Sequence, residues 1–579
     1  MKINLVTTPI LDSFSSKSEN LIVGKWCLQE LKNTKKNLII SESPYHWASE
    51  DKVKKDYKYL KKFYYQTISN ISSLLNDYHN VDKPERYWHI ILGPFLVNFI
   101  PLIWDRWETI RNLSNIKFKT IIFKSRNGPS VFEDVQDFIM SINDNYWNHS
   151  VYVEIIKLLK KQNCIFEEKE FDKYKRNPSF WNPYLKKIDK KNNNFLKSNL
   201  SNLIDPFFKN NKYLFYDVAF NKINFIKLNL TLGQIPTINS KFDRKIFKNN
   251  TINRDKLKIG TESNDQFENY CNYAIIKNLP KTYLENYKNI KNFTDKIDLN
   301  PEKIITSYAH INNDIFKIWT SEQVLKGKKF IITDHGGYID ESSHFNSMEK
   351  YSDVFFKWNK TEIPSTKQVP PNLFLNKRKI LNSFQLGKKL LFLTHNCNLY
   401  PFRIGPSPIS ALMVDVQNSW ISFLKKIQKD KKFNLKIRTQ PVDSWNFKGL
   451  VLSNFNKNIL SKEKKLSSEI KNSKIIINTT PQTALIECMK SGVPTILITN
   501  GYTVDVPHSI NQILEKLKNN KIFFDCFDEA FDHINEIYND PLLWWNSAKI
   551  QKIREEFAFC CSLETKNNLN FWSESLKEV

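Results

Sequence analysis

Residues 474–499, KIIINTTPQTALIECMKSGVPTILIT, admit few folds. A β-branched run, Lys474–Thr479, leads into a polar turn, and Pro494–Thr499 is a second uninterrupted apolar run. Strands without a polar alternation are buried on both faces, as in parallel sheets. Between them Ala484–Lys490 is helix-forming and Gly492 is placed to end the helix. Thr480 is the expected N-cap, with Pro481 at the first helical position. The first amides of a helix lack internal partners and its dipole favours an anion, so Thr480, Gln482 and Thr483 form a candidate phosphate seat. Glu487, further along the helix, is placed to take a ribose hydroxyl pair. An ordinary βαβ unit with no ligand accounts for the same residues equally well.

At 579 residues the chain is expected to hold at least two domains. The net charge of +26 points to nucleic acid, an anionic membrane face or phosphorylated substrates. Only 11 of the 86 basic residues are Arg, and the Lys excess travels with Asn, Ile and Phe, as in AT-rich coding. Readers of bases and phosphates favour the Arg fork, and no helix-turn-helix, zinc-finger or RNP pattern is present, so no nucleic-acid partner is expected. The charge reads as solvated surface that could aid peripheral contact with an anionic inner-membrane face. Eight scattered Cys show no metal or disulfide spacing, and MKINLVTTPILDS is too quickly polar for a signal peptide, so a reduced cytoplasmic protein is expected. The most apolar segment, Ile90–Trp104, contains two prolines and is expected to be a buried helix pair or a broken helix, not a membrane span.

In chain order, Lys2–Thr7 reads as a strand, Glu19–Leu31 as a helix, Leu38–Ile40 as a short strand, Lys55–Leu75 as a long helix and Lys119–Phe123 as a strand. His46, His79 and His89 could line an acceptor site, although each alone fits a packing role. From Glu167 to Asn211, and again over Lys241–Phe267, Lys and Asn dominate without period, which reads as insertion; Tyr213–Leu230 between them looks β-like. Order returns with the strand Ile304–Ala309, the helix Asn313–Leu325 and the strand Lys329–Thr333. The last ends in Asp334-His335-Gly336-Gly337, a sharp turn whose glycines permit close approach of a ligand. An acid and an imidazole at the carboxyl end of a strand are placed for chemistry, and Asp334 or His335 could take a proton from an attacking hydroxyl. Ile363–Gln385 reads as a linker to a second α/β series, in which His395 and Arg403 lie in the loop after the strand Lys388–Thr394 and Arg438 lies on the strand Asn434–Thr439. A long amphipathic pattern, Pro541–Phe559, closes the chain.

This layout is similar to that of GT-B glycosyltransferases: two doubly wound, Rossmann-like α/β domains facing a cleft, with a C-terminal helix crossing back to the N-terminal domain. The bounds would be 1–375, with insertions over about 165–300, then 376–540 and 541–579. The chain resembles the transferase family encoded beside O-antigen genes in spirochaetes and other bacteria. The likeness is carried, in order, by Leu5-Val6-Thr7-Thr8, Gly24-Lys25-Trp26-Cys27, Asn76–His79, Tyr87-Trp88 through Gly93 to Asp105-Arg106, Asp334–Gly337, Ser352-Asp353 with Trp358, Thr480 with Thr483 and Glu487, and Asp540–Trp545 ahead of Phe557. That family has Gln where this chain has Asp334, so position 334 either acts as base or positions the turn. The His-Gly turn is more distantly similar to that of CDP-glycerol glycerophosphotransferases.

The resemblance implies transfer of a sugar from a nucleotide-sugar donor to a growing surface glycan, or lipid-linked glycan, without metal or cofactor. The donor phosphates would rest on the amides of Thr480–Thr483, with Arg403, Arg438 and His395 neutralising the leaving group and Glu487 holding the ribose. No DxD pattern is present; Asp532 and Asp505 stand as single acids. Transfer of a polyol phosphate from a CDP donor, or non-catalytic nucleotide-sugar binding, would use the same fold.

Overall fold

The computed structural model describes residues 3–31, 37–113, 116–124, 131–160, 163–170, 211–236, 241–245, 247, 250, 252–337, 344–404, 409–499 and 508–579. Most of the Lys/Asn-rich insertion (171–210) and Asp505 lie outside them. The chain folds as the expected α/β protein with parallel sheets, and the described residues form three of them, each five-stranded.

The first sheet comprises β1 (Ile3–Val6), β2 (Asn20–Ile22), β3 (Ile40–Glu42), β4 (Phe118–Lys124) and β5 (Cys164–Glu170), in the order β3-β2-β1-β4-β5. The expected helix at Glu19–Leu31 is instead β2 followed by a 3-10 turn at Lys25–Leu28. Three consecutive buried residues satisfy a central strand but not one face of a helix. The Asn20 side chain locks the register, accepting from the Asn4 amide (2.8 Å) and donating to Ser15 O (2.8 Å).

Helix Glu50–His79 starts at an N-cap, Ser49, and stops at Asn80, which is left-handed (φ 55°). Ile90–Trp104 is not broken. It lies within one helix, Glu85–Arg111, with Pro94 and Pro101 inside it and every residue from Tyr87 to Ile110 buried. Packing on all sides outweighs the bonds the prolines forfeit. By length and composition this helix could cross a membrane, yet it is the core of the molecule.

The second sheet, β6 (Tyr213–Phe215), β7 (Lys303–Thr306), β8 (Lys329–Thr333), β9 (Val354–Lys357) and β10 (Thr366–Gln368), runs β10-β9-β8-β7-β6 without reversal. Only the start of Tyr213–Leu230 is a strand; Lys222–Thr231 is a helix capped by the Asn221 side chain. Part of the expected linker is β10, paired in parallel with β9. Residues 1–375 thus carry two sheets rather than one.

The third sheet, β11 (Lys389–Leu393), β12 (Leu435–Arg438), β13 (Ser473–Asn478), β14 (Thr495–Ile498) and β15 (Phe523–Phe524), has the order β12-β11-β13-β14-β15. The first and third sheets both reverse their winding direction, and the third does so between β11 and β13. The expected long terminal helix is divided at Asn546-Ser547 into Pro541–Trp545 and Ala548–Cys561. A last helix, Asn568–Glu578, returns to the second sheet, where the Trp572 indole donates to Pro370 O (2.8 Å) and stacks edge-on to Phe356.

One buried charge cluster ties the first sheet to the third. Arg106 is fully buried and donates to Asp105 Oδ2 (2.8 Å), to Asn148 Oδ1 (2.6 Å) and to the Pro401 carbonyl, between the rings of Tyr152 and Tyr400. Asp105 also accepts from Tyr45 (2.6 Å). Removing one partner strands the other's charge without solvent. Arg106→Leu is expected to destabilise the protein by about 3–5 kcal/mol in urea unfolding, whereas breaking an exposed pair such as Lys124–Glu168 should have little effect.

Candidate active site

At a switch point the loops leaving adjacent strands diverge to opposite faces and open a crevice. In the third sheet those loops follow Leu393 and Asn478, and the Thr479 hydroxyl joins them by donating to Leu393 O (2.9 Å). The next helix spans Thr483–Ser491 and ends at Gly492 (φ 85°), as expected. Its N-cap is Gln482 and not Thr480, and no side chain caps its first amides. Pro481 therefore lies before the helix, in the bend that leads to the extended Gln482.

The turn after β8 meets this helix directly. The Gly337 amide donates to Thr483 Oγ1 (3.0 Å), and a Cβ at position 337 would collide with Ile486 Cδ1. Asp334 holds the turn: its Oδ2 accepts from the Trp358 amide (2.8 Å), its own amide donates to Phe356 O (2.9 Å), and its carbonyl accepts from Asn372 (3.0 Å). These bonds suit position 334 to aligning the turn, and His335 is the group it presents.

His335 lines a cavity of about 50 Å³ between helix Glu85–Arg111, the strand ends of the second sheet and the loop after β11. Arg403 enters from that loop, whereas His310, His344, Tyr308 and Tyr351 enter from the second sheet's side. Burial, and then the Arg403 charge, push His335 down to about 4, with Ser307 backbone holding its ring. Burial lowers His310 to about 3 and holds His344 well below the usual imidazole range. All three imidazoles are neutral at pH 7, beside one permanent cation. His344 Nε2 is 3.5 Å from the Arg403 guanidinium, and His310 Nδ1 is 2.9 Å from the Tyr351 hydroxyl.

The other expected residues are distributed around this centre. His395, half-buried and pushed down to about 4 by burial, and Thr480, buried, stand at the ends of β11 and β13. Neither is among the described residues lining the His335 cavity. Arg438 spends its guanidinium on the carbonyls of Glu463 (2.6 Å) and Lys464 (3.1 Å), which is not the free phosphate clamp expected of it. Glu487 is held above the usual carboxylate range by burial, opposed by Arg438, and lines a separate hollow with Phe374 and Lys490. His46, His79 and His89 line no acceptor site: they bond Asp105 (3.2 Å), Tyr283 O (2.9 Å) and the Tyr64 hydroxyl (3.0 Å) in the core.

His310 and His344 were not anticipated from the sequence. The chain has ten His, and three of them converge here. Tyr308 to His310 follow β7 as Asp334-His335 follow β8, so neighbouring parallel strands deliver both imidazoles to one edge. That equivalence is legible only once the two strands are known to be adjacent.

Two features thus meet at the carboxyl ends of parallel strands: a helix N-terminus at Thr483, joined to the β8 turn through Gly337, and, in an adjoining cavity that Thr480, Gln482 and Thr483 do not line, a neutral imidazole with an arginine. The chain belongs to the LIC12162 family transferases, whose sequence profile matches residues 3–576. No curated protein sequence matches it. Among solved structures it is similar to a point mutant of S. aureus TarM in complex with Fondaparinux, alpha-GlcNAc-glycerol and UDP: 13% identity, TM-score 0.32, covering 51% of this chain and 58% of that one. A glycosyltransferase from Rickettsia africae aligns at 13% identity and TM-score 0.31, covering 64% and 97% of the two chains. The glycotransferase of kitacinnamycin aligns at 8% and 0.29, covering 50% and 79%.

Gly337→Ala is expected to cost about 1–3 kcal/mol through overpacking against Ile486. Because the crowded atom is Cδ1, Ile486→Val in the same chain should recover most of that loss. Unfolding of the two single variants and the double variant would measure the coupling.

Proposed function

We propose that this transferase is a GT-B glycosyltransferase that moves a sugar from a nucleotide-sugar donor to a surface glycan or lipid-linked glycan acceptor, on the cytoplasmic side and without a metal. The observation that carries this reading is the bond from Gly337 to Thr483, which sets the His335 turn against an uncapped helix N-terminus at a switch point. The donor phosphates rest on the first amides of that helix, where partnerless N–H groups and the dipole favour an anion. Arg403 supplies the fixed positive charge that neutralises the leaving group. His335, one face held by Ser307, takes the proton of the acceptor hydroxyl as its oxygen bonds to the anomeric carbon; the bond from that carbon to the phosphate oxygen breaks, and the nucleotide leaves. Asp334 is a positioning residue. Glu487 faces the ribose only if its side chain swings out of the hollow it lines.

Thermal-shift measurement with UDP-, GDP-, CMP-, CDP- and dTDP-sugars should find a donor that raises the Tm by binding linkage, and Arg403→Ala should abolish that rise. A panel in which no nucleotide sugar moves the Tm would refute the proposal. The acid limb of kcat/KM should lie below the 6.5 of free imidazole, towards about 4, because His335 is lowered in the free enzyme. His335→Gln should remove the limb together with about 10²–10⁴-fold in kcat.

A further inference from the structure

Helix Lys222–Thr231, at the edge of the second sheet, is apolar on both sides. Inward, Leu228 is fully buried and Phe225 packs edge-on to Phe215 (5.7 Å). Outward, Ile223 (66% exposed), Ile226 (48%) and Leu230 (62%) recur at i, i+3 and i+7, and Ile235 (58%) extends the ridge beyond the helix. Exposed large aliphatic residues gather here more densely than elsewhere among the described residues, and a contiguous exposed patch marks a contact surface.

Charge identifies the contact. From Val218 to Pro236 there is no Asp or Glu, in a chain that has 60 of them. Lys222 and Lys227 flank the ridge, and both are exposed. A helix with an aliphatic ridge between lysines, and no carboxylate on the helix itself, matches the boundary between acyl chains and anionic headgroups, with Asp217 and Asp243 turned to the cavity that Lys222 also lines. Self-association fits worse, because a two-fold pairing of this ridge would bring lysines together with no acid on the helix to meet them. We propose that helix Lys222–Thr231 docks the protein on an anionic phospholipid bilayer.

The docking helix also reaches towards the site. Lys222 and Phe225 line a second cavity of about 320 Å³, which shares Asn312 with the His335 cavity. On the glycosyltransferase reading, and resting on it, the ridge would hold the enzyme where a lipid-borne acceptor is presented.

Flotation of the full chain with phosphatidylcholine vesicles containing about 30 mol % phosphatidylglycerol should carry it to the lipid fraction, and pure phosphatidylcholine should carry much less. The variant I223E/I226E/L230E should lower partition by about tenfold or more, and K222A/K227A should remove the dependence on anionic lipid and salt. All these changes are to exposed side chains of one surface, so the Tm and its shift by a donor should be unchanged; donor binding in solution tests the glycosyltransferase reading separately. Equal flotation of wild type and I223E/I226E/L230E, or none by either, would overturn the proposal. So would a wild-type dimer that the variant dissolves, which assigns the ridge to a second copy. Protection of this helix from hydrogen exchange without lipid would equally overturn it, by showing the ridge covered by the chain itself.

Discussion

The site depends on a close approach between backbone and side chain. The Gly337 amide reaches the Thr483 hydroxyl, and no Cβ fits between that turn and Ile486. Two sheets built from distant parts of the chain therefore touch through the residues that also form the candidate site. A displacement of the third sheet against the second would open this contact first. The geometry at His335 consequently reports the relation between the sheets.

A second tie fixes the other wall. The loop after β11 carries Arg403 into the cavity, and its path is set by groups far from it in sequence. Pro401 is held by buried Arg106, Leu399 by Asn143 (2.8 Å), and the Tyr400 hydroxyl by Asn145 (3.0 Å). A buried arginine costs desolvation that its partners must offset, so it adds little net stability. What it contributes is a fixed position for an otherwise irregular loop. The Asp105-Arg106 pair thus acts through the scaffold, and only Arg403 meets the cavity.

The third sheet was legible because its strands are uninterrupted and its helices amphipathic, with Gly492 where a left-handed stop is needed. The β8 turn was legible because His-Gly-Gly after a strand has few other uses. Three features were hidden for separate physical reasons. Asn20–Ile22 is too short for a period, and its neighbours in the sheet decide its state. Pro94 and Pro101 predict a break only for a helix that must hold itself together, whereas this one is clamped on every side. The roles of Arg438 and Glu487 depend on side-chain partners, and periodicity says nothing of whether a guanidinium will turn to Glu463 O or towards a ligand.

One arginine faces three imidazoles, each held neutral by burial and further opposed by that charge or by the others. No carboxylate lines the cavity among the described residues. An anion arriving in the cavity would act on both kinds of group at once. It would screen Arg403 and, by its own charge, favour protonated His335, moving that imidazole back towards its ordinary range. A base too weak alone would thereby gain proton affinity only while a phosphate is present, which couples proton removal from an acceptor to occupation of the donor site.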